Sequence, residues 1–302
     1  MGTVVLSIDA ELAWGFHDQS RLPDDRLRAA RSGWITLLDL LDEYHMPATW
    51  AVVGHLMLDS CDGVHAGHPA PPGWFDRDPG GNRFEHSLWY APELIEAIQA
   101  ADVDHELASH TFSHIPFGHP DVTAEIVDAE LSRHVSLAEE WGFTLRSLVF
   151  PRNQVGYLDR LATNGFTCYR GIEPNSDSIL RKPRKAFEMV GGGGPPPVTQ
   201  PRIDVNGLVN IPATIDLFGF EGVAKQVVEP LVGDPIVTTV EAGIEAAIEH
   251  DAILHGWLHP NNIKSEADRQ RLERIFQAIQ SADVTVDTMG GIADASRLEA
   301  NV

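Results

Sequence analysis

Short apolar, β-branched runs alternate about seven times with segments of helical period along this chain. That alternation specifies parallel strands joined by helical crossovers, because a parallel pair cannot be closed by a tight turn. Strand-like runs fall at residues 4–8, 48–53, 103–109, 147–150, 168–170, 208–211, 252–258 and 284–286. Asp24 caps a segment with Leu27, Ala30, Trp34, Leu37, Leu38 and Leu41 on one helical face. Pro92 opens a short helix through Ala101. Thr123 caps one that presents Val127, Leu131, His134, Ala138 and Trp141 on one side and stops at Gly142. Further helices are expected at 157–163, 240–250 and 265–282. The sheet closes as a barrel or stays open and doubly wound; the pattern allows both.

Nothing in the composition divides the chain, so one domain over 1–302 is expected, with surface insertions at 59–90 and 174–207. The first is rich in Gly, Pro, His and Asp, and the second contains four glycines at 191–194 running into three prolines at 195–197. No strand, Gly-loop and helix with a following Lys and Ser/Thr occurs, which excludes a phosphate-cradling loop.

Net charge is −22, and the only lysines are Lys182, Lys185, Lys225 and Lys264. Such a field repels nucleic acid and anionic membranes. It suits a halophilic protein, because screening at 1 M salt shortens charge repulsion to about 3 Å. No apolar run is long enough to span a bilayer, and the first residues lack a signal-peptide pattern, so a cytoplasmic location is expected. Cys61 and Cys168 are far apart and fit no metal spacing, which reads as two reduced thiols.

Ionisable residues gather immediately after the strands, at the rim where parallel α/β folds bind ligands. His110 and His114 are four apart after one strand, so a single turn puts both imidazoles on one side, suited to a divalent cation. Asp9 and Glu11 are two apart at the end of the first strand and share a face if the chain stays extended. Arg152 and Asn153 follow a third strand, and His255 and His259 end a fourth.

With these segments in this order, residues 4–260 resemble the polysaccharide deacetylase superfamily, the NodB-homology carbohydrate esterases. The resemblance implies a distorted (β/α)7-type barrel and a hydrolase that removes an N-acetyl or other N-acyl group from an amino sugar. By resemblance, Asp9 is the catalytic base and Arg152 the arginine that orients it. The family's common second aspartate is replaced by Ala10, so the sequence resembles the variant Asp-x-Glu subgroup, in which Glu11 binds the metal with His110 and His114. His259 takes the role of general acid, with His255 as runner-up, and the usual acidic partner of that histidine is not evident. A divalent ion is implied, zinc by default, with Co²⁺, Ni²⁺ or Fe²⁺ admitted by the same donors. Trp14, Trp257 and Asn153 are candidate substrate contacts, Trp89 a weaker one, and a backbone N–H at 153–155 a candidate oxyanion donor. Two rival functions remain: an allantoinase-like or cyclic-imide amidohydrolase on this scaffold, and a non-catalytic carbohydrate-binding relative.

Overall fold

A computed structural model describes residues 2–19, 21–172, 197–219 and 233–300. Most of the expected insertion at 174–207, with its Gly and Pro runs, lies outside these residues. The strands are β1 (Thr3–Ala10), β2 (Thr49–Val52), β3 (Ser60–Cys61), β4 (Gly81–Asn82), β5 (Glu106–Ser109) and β6 (Ser147–Val149). They continue with β7 (Cys168–Arg170), β8 (Arg202–Ile203), β9 (Val209–Asn210), β10 (Ile215–Asp216), β11 (Ile253–Leu258) and β12 (Thr285–Asp287).

The main sheet runs β10-β11-β1-β2-β5-β6-β7-β9-β8, with β12 added against β1. Apart from the antiparallel β8–β9 pair, its ladders are parallel. Because β9 and β10 are two pieces of one bent segment at 209–216, pairing with β7 and with β11, the curled sheet is drawn round on itself. Bridges from Ile172 to Ala213 and from Thr214 N–H to the His255 carbonyl (2.9 Å) carry the pairing across the bend. This is a distorted barrel, as the sequence resemblance implies.

Strand β1 is buried along nearly its whole length, since helices cover one face and the barrel interior takes the other. The outer face joins Val4, Leu6 and Ile8 to Trp34, Trp50, Leu254 and Phe276 in one core. Trp34 and Trp50 stack there with centroids 5.3 Å apart. Inside, Val5, Ala51, Ala108, Val149, Cys168, Val209 and Ile253 form a second layer, closed by Met289 and Ile292. Two residues further along the strands the inward positions become Ser7, Arg170 and His255, all buried. Side chains of period two thus climb from an apolar floor to a charged rim.

Helices α1 (Asp24–Glu43), α2 (Pro92–Gln99), α3 (Ala124–Glu140) and α4 (Leu158–Thr163) fall where the sequence places them; the Thr123 side chain accepts from Ile126 N–H, whereas Asp24 is the first residue of α1 rather than its cap, which is Pro23 with no side-chain bond. Helix α5 (Pro235–His250) starts earlier than periodicity suggested. The Asp234 carboxylate accepts from Ile236 N–H (3.0 Å) and Pro235 fits the first turn, a cap that outranks the apolar pattern. Helix α6 (Glu266–Gln280) is followed, beyond β12, by α7 (Met289–Ala300), a helix the sequence periodicity did not mark; its buried Met289, Ile292 and Ala293 plug the barrel floor. The strand expected at 103–109 begins only at Glu106, because the Asp42 carboxylate pins the N–H groups of Asp102 and Val103 in a loop. Residues 59–90 contain only the short β3–β4 pair as regular strand. No described helix is long and apolar enough to cross a membrane.

Asp234 also accepts from the buried Arg271 Nε at 2.6 Å. Asp234→Ala removes a cap and strands a buried guanidinium, so it should cost about 3–5 kcal/mol of unfolding free energy. Denaturant titration checks this; a loss below about 1 kcal/mol, the scale of a cap alone, would refute the buried-pair account.

Candidate active site

Asp9 lies near the end of β1 with its side chain inside the barrel. The strand stops at Ala10, and Glu11 has helical φ/ψ (−115°, −29°) at the start of a 3-10 turn, Leu12–Phe16. Glu11 therefore enters the cavity through a turn rather than by strand alternation, yet both carboxylates are buried. Gly15 makes room for it: a Cβ at that position would overlap the Glu11 carboxylate.

His110 follows β5, and its Nδ1 donates to the Val149 carbonyl at 2.8 Å. That bond orients the ring and turns Nε2 toward Glu11. His110 Nε2 lies 3.5 Å and His114 Nε2 3.6 Å from the same Glu11 Oε1. Both Nε2 atoms are buried without a hydrogen-bond partner. Two donors each ~2.0–2.1 Å from one tetrahedral ion sit roughly 3.3–3.4 Å apart, so this trio has the spacing and chemistry for a divalent cation. The connecting segment is an irregular turn rather than a helix, with Thr111 and His114 at φ of 60° and 64°. Helix α3 holds that turn: the buried Glu130 accepts from Ser113 N–H (2.8 Å) and Ser113 Oγ (2.7 Å), and His134 Nδ1 lies 2.9 Å from Ser109 Oγ.

The arginine against Asp9 is Arg170, not Arg152. From the end of β7, its Nη1 and Nη2 donate to the two Asp9 oxygens at 2.6 and 2.7 Å. Ser7 Oγ (3.0 Å) and Asn153 Oδ1 (3.1 Å) accept from the same guanidinium, which lies 4.9 Å from the centre of the Trp257 ring. Arg152 sits on a 3-10 turn with φ 56°, and its guanidinium runs outward to the Gly15 carbonyl (2.9 Å) and Asp18 (2.5 Å). A usable signal existed: an arginine two residues after Cys168 on an inward-facing strand must find an acid. Burial pushes the Asp9 carboxyl up, but Arg170, His110 and His259 outweigh it and hold it below the usual range. Glu11, likewise buried, is driven well below by His259 and His110.

His259 Nε2 lies 3.1 Å from Glu11 Oε1 and 3.8 Å from Asp9 Oδ2. Burial alone would lower its pKa; Glu11, Asp9 and Asp216 together raise it to about 9. Asp216 on β10 is thus an acidic neighbour that the sequence pattern did not reveal. His255 is deeper, 2.9 Å from Ser7 Oγ, and burial depresses it to about 3. It does not reach the carboxylate pair.

Of the expected substrate contacts, Trp257 flanks His259, with ring centroids 5.5 Å apart. Trp14 is fully buried against His55 and Trp89, and Trp89 is itself packed on the core, so both build the wall rather than present a ring. Asn153 spends its side-chain oxygen on Arg170. The N–H groups of Asn153 and Gln154 are taken by the Phe150 and Pro151 carbonyls, which removes them as oxyanion donors.

The family profile described as polysaccharide deacetylase matches residues 23–153. That span includes His110, His114 and Arg152 but not Asp9, Glu11, Arg170 or His259. A polysaccharide-deacetylase-like protein from Mycobacterium smegmatis is 18% identical, with TM-score 0.65, over 99% of this chain and 91% of its own. Another from Pseudomonas aeruginosa PAO1 is 15% identical, with TM-score 0.64, over 99% and 92%. The Puue allantoinase is 13% identical, with TM-score 0.62, over 97% and 89%. At such identities the likeness is one of fold. No curated protein sequence matches the chain.

In metal-free protein the His259 ring should lose its proton as pH rises through about 9. Glu11→Gln removes the nearest negative charge, so the midpoint should move to lower pH. Imidazole NMR titration reads both; an unmoved midpoint in Glu11→Gln would break the assigned coupling.

Proposed function

We propose that this chain, which has the fold of the polysaccharide deacetylases and their family match over residues 23–153, is a metal-dependent hydrolase that removes an N-acetyl or other N-acyl group from an amino sugar or its activated precursor. The observation that carries this reading is the arrangement of an ionised, arginine-clamped Asp9 beside Glu11, His110 and His114, with His259 facing both carboxylates. A divalent ion held by Glu11, His110 and His114, zinc first among the candidates, would polarise the acyl carbonyl and acidify a water.

The chain's own residues handle the protons. Asp9 accepts one from the attacking water, and the Arg170 fork keeps its carboxylate ionised and oriented for that task. His259, charged at neutral pH, passes a proton to the amine nitrogen as the C–N bond breaks, without which an amine is a poor leaving group. Trp257 offers a half-buried aromatic edge beside both groups for a sugar ring. Arg152, by tying residues 15 and 18 to the rim, steadies the turn that carries Glu11. Within this reading the substrate is cytoplasmic: a nucleotide-linked or lipid-linked sugar, or an imported oligosaccharide. The clustering of Glu11 with both histidines favours catalysis over a degenerate sugar-binding role, despite Ala10.

Metal analysis together with acyl release from acetylated amino sugars, ureides and cyclic imides tests the proposal. Release from ureides or imides alone would move it to an allantoinase-like amidohydrolase, and release from none would favour the binding role. Asp9→Asn should keep the metal and lose at least ~10²-fold in turnover, the scale of a general base; wild-type activity in that variant ends the mechanism. Arg170→Gln should lose most turnover, whereas Arg152→Gln, which only loosens the turn that carries Glu11, should lose much less. The reverse ranking would restore Arg152 as the orienting arginine.

A further inference from the structure

We propose that His55, Cys61, His65 and Asp78 form a second divalent-metal site, for zinc or another ion that accepts thiolate, tying the insertion at 59–90 to the rim of the barrel. One ligand atom from each lies within 4.8 Å of every other. Asp78 Oδ2 is 3.1 Å from His55 Nε2, 2.6 Å from His65 Nε2 and 3.3 Å from Cys61 Sγ. One sulfur, two nitrogens and one oxygen supply four protein donors, the closed set typical of a structural zinc rather than a catalytic one.

The surroundings orient those donors as an outer shell does. His55 Nδ1 faces the Trp89 carbonyl at 3.2 Å, which turns Nε2 inward, where it is buried without a hydrogen-bond partner. Asp78 Oδ1 accepts from Gly80 N–H (3.0 Å) and Tyr90 OH (3.4 Å), leaving Oδ2 for the cluster. Cys61 Sγ accepts from Gly63 N–H at 3.2 Å and lies 2.9 Å from Tyr90 OH.

The charges fit as well. As metal ligands the four donors are two neutral imidazoles, a carboxylate and a thiolate, with a summed charge of −2. One divalent cation neutralises that sum, so the occupied cluster carries no net buried charge.

Chain order hid this site, since donors at 55, 61, 65 and 78 follow no familiar cysteine spacing and Cys61 read as a plain thiol. Its structural use is visible in its neighbours. Residues 59–90 have little regular structure, while the His55 ring packs 4.4 Å from Trp14, in the turn that follows Glu11. From the same insertion Trp74 Nε1 donates to the Ser113 carbonyl (3.0 Å), and His68 Nε2 lies 2.8 Å from Glu130 Oε1. An ion at the cluster therefore steadies the insertion against both halves of the deacetylase-type site.

The Glu11, His110 and His114 set contains no sulfur, and Cys168 is buried against Ser147 and Met289 at the other end of the sheet. A thiolate-to-Co²⁺ charge-transfer absorption therefore reports on Cys61 alone. Purified wild-type protein should hold two equivalents of divalent metal and, when prepared with Co²⁺, show that absorption. His114→Ala should hold one equivalent and keep the absorption; Cys61→Ser should hold one and lose it. If only the deacetylase-type site fails, wild-type protein holds one equivalent with the absorption. Absence of the absorption from Co²⁺-loaded wild-type protein, or a metal-free His114→Ala, overturns the second site, whether or not Cys61→Ser folds.

Discussion

The rim of this barrel depends on one buried ion pair, the two-point contact between Arg170 and Asp9. A guanidinium inside a protein carries a large desolvation cost, and only a matched acceptor with further hydrogen bonds offsets it. Asp9 matches the fork, Ser7 and Asn153 accept from the same two nitrogens, and Trp257 covers one face. Because Arg170 comes from β7 and Asp9 from β1, the pair also spans the barrel interior. It holds two distant strands at a fixed separation and sets the charge state of the site in the same contact.

That charge state matters because Glu11 is also buried close by. Two neighbouring carboxylates out of water would normally raise one another, leaving one protonated. Here Arg170 serves Asp9, and His259 and His110 serve Glu11, so both are held low. The two carboxylates then differ in their partners. Asp9 is clamped by the Arg170 fork, whereas Glu11 faces two imidazole nitrogens that have no hydrogen-bond partner. Burial lowers His114 and the deeper His255, whereas His259, facing both acids, is raised.

The segment at 59–90 packs against this site. It has little strand pairing of its own, yet it delivers Trp74 to the turn that carries His110 and His114, and His68 to Glu130, which holds that turn. Buried polar contacts of this kind are stiff only when fully satisfied, which is why a cluster of four ligand-type side chains beneath the insertion has structural consequence.

The sequence by itself determined the alternating strands and helices, the gathering of ionisable residues at the strand ends, and the pairing of His110 with His114, since periodicity and short-range spacing are local properties. It also marked Asp9 and Glu11, although Glu11 arrives through a 3-10 turn made possible by Gly15 rather than by strand alternation. Tertiary structure alone decided that Arg170 rather than Arg152 meets Asp9, that Asp216 stands behind His259, that Trp14 is wall and not platform, and that Cys61 joins His55, His65 and Asp78. The Arg170 and Asp216 contacts join strands far apart in the chain, where chemistry is set by which side chains face inward at the same height of a curled sheet, and the other two depend on how irregular segments pack; linear spacing marked only that Arg170 faces inward.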